Sequence, residues 1–378
     1  MAMTNYPVND ALAIKVWSKI LDHEALKYTD IGPLIGDDPN SIIHRKTELQ
    51  KGPGDQITYG IRMQLNGAGF SENNLAEGNG EALTTYSDAL LINELGNVVG
   101  VKSEYTIDQQ RVPFNLREEA KDGLADWYAK RFSVAFFNQV CGNTLQTDVR
   151  FTGLNATVAA STTRIIRQSG RASDDLLLST DTFTIDLVDK AKEMAVSASP
   201  KIRPATFAGG GSMGSQRRDY NMTLTDRYVM YLDQYQVYDM RRNTSTGQWQ
   251  DIVKAVYTSA KKANPIYEGA IGEWNGVVLR QTAAMNSTGT DGVLPRGISA
   301  TSTAVPNVGR AVLLGGQAAM MAFGQRGSIS KYRWNEELFD HKRRMEVSAW
   351  TIHGLKKTRY NSVDYGTVVV STYAVAHT

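Results

Sequence analysis

The 378-residue sequence predicts an α+β fold, on three observations. A stretch near residue 60 alternates apolar and polar residues with the period of a strand, and a stretch from residue 116 repeats apolar residues at four-residue steps. The remainder mixes short segments of both kinds without repeating one βα unit. A chain of this length buries at least one large core and is long enough for two.

Residues 10–28 place Ile14, Trp17, Ile20, Leu21 and Leu26 near helical spacing, with Asp10 as cap and Gly32 and Pro33 as the stop. Residues 30–49, DIGPLIGDDPNSIIHRKTEL, are turn-rich with a few isolated apolar anchors, which reads as an arm that needs a surface to lie on. Ile57, Tyr59, Ile61, Met63 and Leu65 then alternate with Thr58, Gly60, Arg62 and Gln64, the pattern of a half-buried strand. A polar, glycine-spaced tip follows at residues 66–83, and a β-like stretch at 85–102 runs back. Together they predict a long two-stranded flap. Such a ribbon is marginal alone because its apolar face lacks a second layer, so something outside the flap is expected to cover it.

Asn115 with Glu118 three residues on forms a capping-box signature. Leu116, Ala120, Leu124, Tyr128, Phe132, Phe136 and Val140 then recur up to a stop at Gly142. A helix of about 25 residues is about 38 Å long at 1.5 Å per residue. Further helices are predicted at 185–195, 234–241 and 249–260, with strands at 227–232, 275–281 and 310–315 and a short helix at GQAAMMAFG, residues 316–324. From residue 328 the chain reads as β-rich, with Met345, Val347, Ala349 and Thr351 on one face and Trp350 and Ile352 on the other. Within GAIGEWNGVVLR, Gly269, Gly272 and Gly276 are expected to turn the chain tightly ahead of a strand. There is no internal repeat.

With 41 basic and 39 acidic residues, the net charge of +2 gives no overall field to hold nucleic acid or a membrane. Cys141 is alone, which rules out an intrachain disulfide and a zinc site of paired thiols, and it is expected as a buried small apolar residue. The segment MAMTNYPVND lacks a basic stretch and apolar run, and the most apolar window, AVLLGGQAAMMAFG, is short and broken by Gln317. Neither secretion by that route nor a membrane span is expected.

Signals for chemistry are sparse. In AGGGSMGS, Gly209, Gly211 and Gly214 fit a dinucleotide fingerprint, and Gly210, Ser212 and Gly214 fit a nucleophile elbow. Both need a strand before and a helix directly after, whereas SQRRDYNMTL is polar, so a surface loop is the reading. The enzyme alternative uses Ser212, Asp233 and His341, the chain order of an α/β-hydrolase triad. His23, His44, His341, His353 and His377 are dispersed, so neither a metal site nor a cofactor is expected. Glu72, Glu77 and Glu81 on the flap tip read as a solvated acidic loop rather than an acid–base pair.

Charge distribution says more. From residue 52 to 110 eight acids face only Arg62 and Lys102, a net of −6. From 341 to 359 Lys342, Arg343, Arg344, Lys356, Lys357 and Arg359 face only Glu346, a net of +5. Opposite patches on one chain can bind between copies, although each exposed pair contributes little and buried apolar area must supply most of the energy. Ile57, Tyr59, Ile61, Met63 and Leu65, the three tip glutamates and these six bases are therefore the expected inter-subunit contacts.

Arm, flap, long helix and mixed remainder, in that order, resemble the major capsid proteins of tailed bacteriophages, which share the Hong Kong 97-like (Johnson) fold. Segments resemble the subset from podophages related to the coliphage N-four: GDQITYGIRMQLNGAG, LTDRYVMYLDQYQVYDMR, NPIYEGAIGEWNGVVLRQ, RAVLLGGQAAMMAFG and YGTVVVSTYAVA. The resemblance implies an N-terminal arm at 1–51, an extended loop at 52–112, a peripheral domain at 113–202 and 323–378 with a spine helix at 115–141, and an axial domain at 203–322. It implies a non-enzymatic subunit that forms pentamers and hexamers of an icosahedral shell around double-stranded DNA. Portal and scaffolding proteins, and decoration or cement proteins, are the implied partners, with no membrane. The implied location is the virion, after assembly in the host bacterial cytoplasm. No long charged N-terminal segment resembles a built-in scaffold. The lysine–asparagine cross-link of some relatives is not carried over, because Lys51 and Lys102 lie near the flap ends. An encapsulin-like compartment shell, similar in fold, is the structural alternative.

Overall fold

The computed structural model describes residues 29–377 apart from 39, 49–53, 63–64, 66, 73–76, 84, 103–105, 114, 207–225, 258–268, 283, 285–295 and 325–330. The expected helix at 10–28, the AGGGSMGS stretch with Ser212, and Met63 lie outside the described residues.

The chain opens with β1 (Ile35–Gly36), β2 (Ile43–Lys46), β3 (Gln56–Arg62), β4 (Thr85–Leu91) and β5 (Asn93–Lys102). Helices α1 (Ile107–Arg111), α2 (Leu116–Val140) and α3 (Val149–Thr152) follow, then β6 (Ile165–Arg167), α4 (Ile185–Ser197), β7 (Ala205–Thr206) and β8 (Asp226–Leu232). Next come α5 (Gln234–Asn243), α6 (Thr246–Tyr257), β9 (Ala270–Trp274), β10 (Val277–Gln281), β11 (Arg296–Ile298), β12 (Ala304–Leu314) and β13 (Ala319–Phe323). The chain closes with β14 (Tyr332–Phe339), β15 (Arg344–Lys357), β16 (Arg359–Tyr360), β17 (Val363–Asp364) and β18 (Thr367–Tyr373).

Helix α2 spans 25 residues, as its four-residue repeat predicts. The Asn115 side chain accepts the Arg117 N–H at 3.0 Å, and Glu118 and Glu119 place negative charge at the positive end of the helix dipole. At the far end Gly142 takes a φ of 68°, and the Arg310 guanidinium donates to the carbonyls of Cys141 and Gly142 at 3.0 and 3.3 Å. A cation there satisfies terminal carbonyls and faces the negative end of the dipole. Cys141 is fully buried, as expected of a small apolar residue.

Two sheets pack against this helix. The six-stranded one runs β1-β2-β13-β15-β14, with β5 also paired to β15. The eight-stranded one runs β6-β18-β12-β8-β10-β9, with β11 on β12 and β7 on β8. Strand β8 explains the layering: Val229 and Tyr231 join the core around α2, while Tyr228, Met230 and Leu232 join a second core with Leu187, Val188 and Ala191 of α4, Met240 of α5 and Ile252 of α6. Both faces are covered, which is why RYVMYL reads as one apolar run rather than an alternation. In the six-stranded sheet Tyr128 of α2 donates to Ala349 O at 2.6 Å and Leu95 O at 3.2 Å, and Phe132 lies edge-on to Phe323.

Four expectations need correcting. GQAAMMAFG is not a helix: residues 319–323 form β13, buried at every position and paired with both β2 and β15. A short, wholly buried apolar run carries no period that separates strand from helix. The flap is shorter than expected, because its return stretch breaks at Ile92; β4 pairs with β3, whereas β5 pairs with β15 from Asn93↔His353 to Lys102↔Arg344. Gly272 does not turn the chain but lies within β9, where an added Cβ would stand 2.1 Å from the Ile252 side chain; the tight turn uses Asn275 and Gly276, both with positive φ. Helix α6 starts at Thr246, three residues ahead of the expected start, and the expected residues 258–260 lie outside the described residues.

Candidate assembly surfaces

The β3–β4 hairpin has two regions of different character. At its root Ile57 and Tyr59 are each 6% exposed and Leu90 is fully buried, packed against Met320, Ala322 and Tyr360. The Tyr59 hydroxyl donates to Asp88 at 3.0 Å, and its burial beside that carboxylate pushes its pKa up. Ile57 and Tyr59 are thus covered by their own chain, which corrects the expectation that another copy must shelter them. The tip differs: Leu65, Phe70 and Leu83 are 56%, 51% and 56% exposed. Glu72, Glu77 and Glu81 are exposed beside them, and Glu81 accepts the Gly67 N–H at 2.6 Å. Ile61 lies in β3, with its backbone paired to Tyr86.

The six bases divide in the same way. Lys356 pairs with Asp88 and donates to Ala89 O at 2.8 Å, which ties β15 to the hairpin root. Lys357 is 2% exposed, pairs with the buried Asp364 at 3.0 Å and donates to Val158 O at 3.1 Å. Arg359 donates to the same Asp364 at 3.2 Å, and Asp364 also accepts the Ser161 N–H at 3.1 Å. These three bases serve their own chain because Asp88 and Asp364 reach them from other elements, which the charge count along the sequence does not reveal.

Lys342, Arg343 and Arg344 are exposed, in and beside the turn joining β14 to β15. The Arg343 N–H donates to Asp340 O at 3.0 Å, and Asp340, His341 and Lys342 all have left-handed φ, at 51°, 52° and 70°. Left-handed backbone costs roughly 1–2 kcal/mol per residue with a side chain. The fold holds three such residues in a row and presents the bases outward. On the neighbouring sheet face Val98, Phe339 and Trp350 are 47%, 43% and 38% exposed, and the Trp350 ring lies where a Cβ on Gly96 would stand.

The triad expected of the enzyme alternative is not assembled among the described residues. Asp233 is 2% exposed and starts α5, with its N–H donating to Gln236 Oε1 at 3.2 Å, while His341 sits in the exposed turn of the other sheet. Among the described residues no three His, Cys, Asp or Glu side chains group as metal ligands, and no helix is long and apolar enough to cross a membrane.

Residues 5–376 match the family described as phage capsid protein. The chain belongs to that family. Among relatives of this capsid protein, the major capsid protein of Pseudomonas phage KPP25 is 24% identical over 387 aligned residues, covering 96% of this chain and 94% of the relative. The capsid of Ralstonia phage GP4 superposes with a TM-score of 0.75 at 24% identity, covering all of both chains. The cyanophage Pam1 capsid gives 0.64 at 20% identity, covering 93% of this chain and 94% of that one. The fold is therefore the Hong Kong 97-like capsid fold, α+β in class.

Sequence reasoning missed the side chains that fix the surfaces in place. Asp174, fully buried, accepts from Arg310 at 2.8 Å and Arg167 at 2.7 Å, and the positive charge of Arg310 holds its carboxyl below the usual range despite burial. Asn155 holds the hairpin root through both main-chain polar groups of Leu91. Neither residue has a local signal, because Arg310 and Leu91 lie far away in sequence.

Proposed function

We propose that this capsid protein is the major shell subunit of a tailed bacteriophage, which assembles as pentamers and hexamers into an icosahedral head around double-stranded DNA. The observation that carries the reading is the family match over residues 5–376, joined to a hairpin whose tip exposes Leu65, Phe70 and Leu83. Three large apolar side chains left about half exposed along one hairpin support an interaction site there. On this reading the acidic tip, Glu72, Glu77 and Glu81, meets the basic turn Lys342, Arg343 and Arg344 of another copy. Each pair adds about 0–1 kcal/mol, and many repeated contacts make the sum effective.

The arm at 1–51, the extended loop at 52–112, the peripheral segments 113–202 and 323–378 and the axial segment 203–322 stay as the proposed division, with β3 and β4 as the loop's paired strands. A separate scaffolding protein, a portal, and decoration or cement proteins are the proposed partners, and the host cytoplasm is the proposed place of assembly. The compartment alternative has no comparable support, since the family matched is a phage family. Electron microscopy of the purified protein, or of virions containing it, tests the reading. Closed shells are expected, and a monomer that persists at high concentration with an ordered hairpin tip defeats it.

A further inference from the structure

The hairpin and the six-stranded sheet are joined by one residue, Ile92, between the end of β4 at Leu91 and the start of β5 at Asn93. A single-residue joint between two separate sheets is free to swing unless something fixes it. Asn155 does so. Its Oδ1 accepts the Leu91 N–H at 3.0 Å and its Nδ2 donates to the Leu91 carbonyl at 2.7 Å, so one side-chain amide pairs with the backbone as a neighbouring strand would. Asn155 is 4% exposed, and its own carbonyl accepts Gln139 Nε2 of α2 at 2.7 Å, with Gln139 2% exposed. Beneath the joint β15 passes so closely that a Cβ on Gly354 would stand 2.2 Å from Leu91 O.

We propose that Asn155 is a positioning residue for shell assembly: it locks the hairpin to the long helix at one angle, and that angle sets how the next subunit is met. The inference rests on the shell reading for its second half, while its first half concerns the subunit alone. The apolar contacts at the hairpin root and the Lys356 bonds to Asp88 and Ala89 remain without it, so loss of Asn155 loosens the angle without unfolding the subunit. Only an amide of this length both donates to and accepts from Leu91, which separates positioning from simple space-filling.

Hydrogen exchange of the full-length wild type, Asn155→Ala and Asn155→Asp, read on the peptide spanning residues 85–92, tests the lock. Exchange about tenfold faster in Asn155→Ala is expected, with little change in α4. Asn155→Asp puts an oxygen against the Leu91 carbonyl. It is expected to loosen the hairpin more than alanine at neutral pH and to recover, relative to wild type at each pH, once acid protonates the carboxyl so that it can donate. If Asn155→Asp does not fold, Gln139→Met removes the second tie and reports on the same peptide. Particles of variable diameter by electron microscopy support the assembly half. Unchanged hairpin exchange overturns the lock, and variant shells of wild-type diameter and yield overturn its role in assembly. A wild type that forms no shells, with hairpin exchange still dependent on Asn155, defeats the shell reading and the assembly half while leaving the lock standing.

Discussion

Arg310 sits where three parts of the chain meet. Its guanidinium holds the C-terminal carbonyls of α2, the carboxylate of Asp174 and, from its place on β12, the eight-stranded sheet. Arg310→Met leaves the buried Asp174 with Arg167 as its remaining cation and frees the carbonyls at the end of α2, so it is expected to cost about 3 kcal/mol, the low end for breaking a buried pair, read by urea denaturation of dissociated subunits. Asp233 works with the opposite sign. Burial pushes its carboxyl up to about 6 from 3.8, so the folded state binds the proton more tightly than the unfolded one. The stabilising contribution is complete below the unfolded value and is lost as pH rises through about 6. Asp233→Asn should therefore gain on wild type as pH rises from about 4 to 7, by up to about 3 kcal/mol, measured by denaturation at each pH. A stability difference that stays flat with pH refutes this account of Asp233.

At the scale of elements, α2 was the most legible part of the sequence, because a four-residue repeat of large side chains has no other solution. Phe132 lies in its second half, fully buried against Tyr128 and Phe323, and Phe132→Ala is expected to cost about 3–5 kcal/mol in thermal or chemical unfolding. The strand at Tyr228 to Leu232 was also readable, since a continuous apolar run fits a sheet covered on both faces. Residues 319–323 were not, because burial on all sides erases the period that a sequence reading depends on. The hairpin was half legible. Its alternation at Ile57 and Tyr59 announced a buried face, but which surface buries it was decided by Met320 and Tyr360, far along the chain. Lys356, Lys357 and Arg359 failed for the same reason, since a count of charges along the sequence cannot see Asp88 or Asp364 folding onto them.

For the molecule as a whole, the expected contact residues that stay exposed after self-pairing lie at the hairpin tip and in and beside the turn before β15. Lys342→Glu with Arg343→Glu should reduce assembly yield without moving the melting temperature of the subunit, because both side chains are exposed and lack ion pairs among the described residues. Adding Glu72→Lys and Glu77→Lys should restore part of the yield if the two patches meet. Particle counts after sedimentation give the readout, and equal yields for all variants would remove these charges from the account. Rising salt should weaken wild-type assembly in the same direction, since contacts between exposed charges are screened.

The six-stranded sheet also orders events in time. Its parallel ladder joins Ile43 to Ala319, and the next ladder joins Ala319 to Lys357, so an early strand waits for a late one to emerge from the ribosome. At translation rates of roughly 5–20 residues per second the delay is on the order of tens of seconds. During it β2 has no neighbour on that side, and the hairpin root has neither Met320 nor Lys356 to rest on. A truncated nascent chain therefore cannot present the projecting ribbon in its final pose, and synthesis to the last strands acts as a built-in admission test for joining the shell.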